Sequence, residues 1–60
     1  MASADNPYAA ELRDIDATIE RLLHRRDELI RLAAAANVQP TVIARDAGLS
    51  RAHVYRIING

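Results

Sequence analysis

The chain has 60 residues, half of them apolar, and a chain this short buries only about 60% of the surface that its unfolded form exposes, so the sequence has room for one small domain that a partner would help to stabilise. Eight arginines, no lysine and eight carboxylates give a formal net charge of zero, which excludes a strong overall field toward nucleic acid or membrane. The absence of cysteine excludes disulfides and thiolate metal sites, and two tyrosines are too few for a platform on which single-stranded nucleic acid stacks.

The charge is unevenly placed. Residues 1–30 carry four arginines against seven carboxylates, or −3, whereas residues 31–60 carry four arginines against Asp46 alone, or +3. Any nucleic-acid surface is therefore expected in the second half. The first residues lack the basic region and apolar core of a signal peptide, and no apolar run approaches the roughly 18 residues of a membrane span. A cytoplasmic protein with no membrane partner is expected.

Residues 1–6 read as a disordered N-terminus, and residues 7–36 as one long amphipathic helix. Asn6 is a capping residue, Pro7 suits the first helical position, and Glu11 lies near the positive helix end. From Tyr8 to Ala36 there is no Gly or Pro, and strong helix formers dominate. Apolar residues recur by threes and fours at Tyr8, Leu12, Ile15, Ile19, Leu22, Leu29, Ala33 and Ala36, with Arg26 in the seam and Leu23 and Ile30 widening it. Such a helix is some 40 Å long, more than the following residues can cover. The stripe Leu12, Ile15, Ile19, Leu22 and Leu23 is accordingly expected to form a homodimer interface. An antiparallel pair centred near Thr18 brings Glu11 toward Arg25, while a parallel pair brings Glu11 toward Asp16, so the antiparallel arrangement is favoured.

Residues 37–60 read as a separate unit. Asn37 tolerates the left-handed conformation that ends helices, and Pro40 opens a second helix over about 40–46. Gly48 supplies positive φ for a tight turn, and Ser50 caps a third helix by accepting from the N–H of Ala52 or His53. Two helices this short enclose Ile43, Leu49, Val54 and Ile57 only if the end of the long helix closes the third side. Leu29, Leu32 and Ala36 are the residues expected there, giving an all-α fold with a trihelical unit over about 29–58.

The stretch from Pro40 to Ile58 resembles the helix-turn-helix of bacterial and phage DNA-binding proteins, especially the small trihelical type at the end of serine resolvases and DNA invertases. Ala44 corresponds to the small residue where the two helices cross, Gly48 to the turn glycine, and Leu49 to the buried apolar residue of the turn. Val54 and Ile57 match the inward positions of the recognition helix, facing Ile43. The resemblance covers residues 38–59. It implies sequence-specific binding of double-stranded DNA, as in a small phage, plasmid or bacterial transcriptional regulator or repressor associated with the nucleoid when bound. Gln39 replaces the Ser or Thr common in the family, which implies a weaker cap on the second helix. With nothing after Gly60 and no recombinase catalytic domain, neither a C-terminal basic arm nor strand cleavage is expected.

The third helix supports this reading from its own chemistry. With Val54, Ile57 and Ile58 inward, Ala52, Tyr55, Arg56 and Asn59 point outward, and Arg51 lies in the exposed first turn. Arg grips guanine O6 and N7, Asn does the same for adenine, Ala touches a thymine methyl and Tyr reaches phosphate. Ser50 and the helix N-terminus also suit phosphate, with His53 at the edge of the face.

The residues offer no enzyme chemistry, metal site, cofactor site or small-molecule substrate site. Ser50 is occupied as a cap, His24 and His53 lie on different elements, and no paired carboxylates or glycine-rich phosphate loop occur. A second class of function stays open: a helical interaction module, adaptor or antitoxin-like, that acts through its coiled helix.

Overall fold

A computed structural model describes residues 6–60, so the expected disordered segment lies outside the described residues except for Asn6. The described chain is all-α: α1 spans Ala9–Ala35, α2 Pro40–Ala47 and α3 Arg51–Asn59.

Each boundary has a local cause. The side-chain Oδ1 of Asn6 accepts from the Tyr8 N–H at 3.0 Å, and the Asn6 carbonyl accepts from Ala9 at 3.2 Å. This Asx turn places Pro7 and Tyr8 in a turn, so regular helix begins at Ala9 rather than at Pro7. At the other end Asn37 adopts φ 66°. Its N–H reaches the Ala34 carbonyl at 3.0 Å and the Val38 N–H reaches Ala33 at 3.0 Å, the two reciprocal bonds that close a helix C-terminus through a left-handed residue. Gly48, at φ 70°, repeats the device at the end of α2, with Gly48 N–H on Arg45 and Leu49 N–H on Ala44. Three residues, Gly48–Ser50, then separate α2 from α3.

The core consists of Ile30 from α1, Ile43 and Ala44 from α2, and Val54 and Ile57 from α3, with Val54 fully enclosed. Leu49 is half-buried against this cluster rather than fully enclosed, as is Ile58.

The third side is closed differently from the expectation. Ile30 is 4% exposed and Ala33 and Ala34 pack beside it, whereas Leu29 and Leu32 are 48% and 59% exposed and Ala36 lies on the surface. A strict heptad repeats every 3.5 residues while a straight helix turns every 3.6, so the seam drifts by about 20° per heptad. By the last heptad Leu29 and Ala36 have rotated off α2 and α3, while Ala33 of the same stripe still packs on them and Ile30, five whole turns after Leu12, faces them directly. The small side chains of Ala33 and Ala34 let the short helices approach closely.

A polar contact reinforces this junction. The Arg31 Nε donates to the Ile57 carbonyl at 3.2 Å, tying α1 to the last turn of α3 and satisfying a carbonyl that the helix ladder leaves free. The molecule is elongated, with a Cα radius of gyration of 16.4 Å against about 10 Å for a compact chain of this length. The excess lies in α1, whose first residues extend beyond α2 and α3 with their apolar side exposed.

Candidate nucleic-acid interface

The α3 helix is anchored at both ends and along one face. Ser50, in extended conformation, caps it by accepting from the His53 N–H at 3.1 Å, and the Ser50 carbonyl accepts from Val54 at 3.1 Å. This leaves the Ser50 hydroxyl proton and the N–H groups of Arg51 and Ala52 directed away from the helix ladder. Along the inner face Val54 and Ile57 are buried, Ile58 half-buried, and Arg31 holds the last turn.

The rotation set by those buried residues determines what α3 presents. Ser50, Arg51, Ala52, Tyr55, Arg56 and Asn59 are exposed, and His53 is half-buried at the margin. Six of the seven candidate residues are thus exposed, and His53 only borders the exposed surface. A side chain that lies flat in a groove needs freedom from local pairing, and the cations differ in this respect. Arg45 is paired with Asp46 at 3.2 Å and Arg31 is bound to Ile57. Among the described residues neither Arg51 nor Arg56 pairs with a carboxylate. No acidic residue occurs on α3, so no fixed charge on that helix opposes a phosphate.

The role of Arg31 escaped the sequence reading, which counted it only as charge. Its position one residue after the core Ile30 is the available signal, since such an arginine flanks whatever element packs on Ile30.

The five α1 residues expected in a dimer seam, Leu12, Ile15, Ile19, Leu22 and Leu23, are all exposed and form one continuous stripe. It runs on the same side of α1 as α2 and α3. Beside it, between α1 and α2, lies an open, mostly apolar groove lined by Leu22, Leu29, Ala33, Val38 and Ile43, with Arg25, Arg26 and Asp46 also on its lining. Among the described residues there is no cluster of three His, Asp or Glu side chains placed to hold a metal ion, and no helix long and apolar enough to cross a membrane. No protein-family model, curated protein or solved structure matches the chain.

Proposed function

We propose that the chain binds double-stranded DNA sequence-specifically as a small transcriptional regulator, with α2 and α3 acting as a helix-turn-helix and α3 as the helix that enters the major groove. The observation that carries this reading is the open side of α3: Arg51, Ala52, Tyr55, Arg56 and Asn59 are exposed together on a helix with no carboxylate, while its opposite face is locked into the core. Arg56 and Asn59 lie one turn apart, spaced to reach neighbouring base edges, and Arg51 with the capped N-terminus faces the phosphate backbone. The homodimer formed through α1 presents two such helices to two half-sites.

A mobility-shift titration with random duplex DNA at low and moderate salt tests the reading. Binding that weakens steeply with salt is expected, because each phosphate contact releases counterions. Absence of binding at low salt overturns it.

The exposed stripe of α1 favours a second reading, a helical interaction module such as an adaptor or antitoxin-like partner that works through its coiled helix. That protein would bind a partner chain and leave DNA unshifted at any salt concentration.

A further inference from the structure

Along α1 and its N-cap Tyr8, the apolar residues Tyr8, Leu12, Ile15, Ile19 and Leu22 are 49–69% exposed, a surface that α2 and α3 leave uncovered. We propose that a second copy of this chain covers it, the two α1 helices pairing antiparallel about residue 17, with Tyr8 of each copy against Arg26 of the other. The pairing deepens the homodimer of the preceding section by fixing its direction and register, and it does not depend on DNA binding.

Length sets the register. The free part of α1 runs from Ala9 to Arg25, since Arg26 is the first half-buried residue near the trihelical unit and Ile30 the first buried one. The midpoint of 9 and 25 is 17. An antiparallel mate centred there starts its helix opposite Arg25 and so ends where α2 and α3 begin.

The same register matches side chains. Leu12 meets Leu22 and Ile15 meets Ile19, and symmetry repeats both, which gives four consecutive apolar layers. Arg26, the one charged residue in the seam, meets Tyr8. Its Nε and Nη2 are both bound to Asp27 Oδ1, at 3.0 and 2.9 Å, which holds the guanidinium plane so that an aromatic ring can lie on its face. Parallel pairing instead opposes Arg26 to its own copy inside the seam.

Charge points the same way. Glu11 and Arg25 flank the stripe on the same side, symmetric about Thr18, so an antiparallel pair joins them twice. Arg25 now pairs with Glu28 at 3.0 Å, but both groups are more than half exposed and the bond is easily exchanged. Asp16, exposed on α1, meets its own copy near the axis, a solvent-screened repulsion that the two Glu11–Arg25 pairs oppose.

Area agrees. The chain exposes 4849 Å², about 1,000 Å² more than a compact chain of its mass, and a stable pair buries about 800 Å² per partner.

Because the chain has no cysteine, single variants Leu12→Cys and Leu22→Cys report direction by disulfide cross-linking. Both residues lie outside the core, so circular dichroism of each variant should match that of the parent chain. Neither variant alone should cross-link under mild oxidation, since its two thiols sit about 15 Å apart along the pair, and an equimolar mixture should give the mixed disulfide. Self-cross-linking of each variant, no mixed product, or a monomeric mass for the parent chain in sedimentation overturns the proposal. Glu11→Arg should weaken the dimer about tenfold, and adding Arg25→Glu should restore it to within about threefold. A tighter dimer from Glu11→Arg alone, the outcome of parallel pairing where it would face Asp16, overturns it as well. None of these readouts involves DNA, so failure here leaves the groove assignment of α3 standing.

Discussion

Ile30 and Leu29 are neighbours in sequence, and their comparison reads the rotation of α1 directly. Adjacent helical residues point 100° apart, and the structure buries Ile30 to 4% exposure while leaving Leu29 at 48%. Ile30→Ala removes a side chain enclosed by Ala44, Val54 and Ile57, and α2 and α3 are too short to collapse onto the space. The lost transfer free energy and the residual cavity together cost about 2–4 kcal/mol. Leu29→Ala removes a side chain already half in water, for a cost below about 1 kcal/mol. A chain of this length has a total stability of only about 3–9 kcal/mol, so the first change removes a large share of it. Thermal unfolding followed by circular dichroism, at matched protein concentration, should show the midpoint for Ile30→Ala lowered by at least about 10 °C and that for Leu29→Ala by a few degrees at most. Equal losses, or a larger loss for Leu29→Ala, would refute the packing of α1 on α2 and α3.

Further outcomes follow from single contacts. Ser50→Ala should cost about 1 kcal/mol by removing the acceptor for the His53 N–H, measurable by urea unfolding. Gly48→Ala meets no atom within 4 Å, so its cost of about 1–2 kcal/mol comes from the positive φ alone, and the same assay should show it. Ile15→Glu combined with Ile19→Glu should give a monomeric mass in sedimentation while leaving the core cluster and its helix content intact. If the proposed antiparallel pair forms, DNA selected from a random pool should carry inverted repeats that mirror its two-fold axis, spaced near one turn of duplex because its two Ile30 positions would lie about 39 Å apart along α1.

Most of the trihelical unit was legible because its punctuation is chemical. Asn37, Gly48 and Ser50 each satisfy a backbone requirement that few residues meet, and the left-handed turns and the cap fall on those residues. The helix-turn-helix resemblance assigned Ala44 to the helix crossing and Val54 and Ile57 to the inward face opposite Ile43, and all four are buried. The face of α1 was less legible. A heptad read from Tyr8 assigns Leu29 and Ala36 to the seam, and only the accumulated drift between 3.5 and 3.6 residues per turn transfers the contact to Ile30 and Ala34. The first turn was misplaced for a related reason, since Pro7 fits a helix start and an Asx turn equally well and the Asn6 side chain selects the turn. The bond from Arg31 to Ile57 joins residues 26 apart in sequence, and the position of Arg31 beside Ile30 signals a packed neighbour without naming its partner.

The central claim is that α3 reads DNA, and the measurement that tests it most directly compares arginines within the protein. Arg51→Ala and Arg56→Ala change the open side of α3, whereas Arg13→Ala and Arg21→Ala change exposed arginines on α1, and none of the four belongs to the core. In salt-dependent mobility-shift titrations against a selected site, each α3 variant should lose about 1–3 kcal/mol of affinity or flatten the salt slope by about one unit. The two α1 variants should bind nearly as the parent chain does. A larger loss from the α1 pair, with the dimer intact by sedimentation, would contradict the account and transfer the working surface to α1.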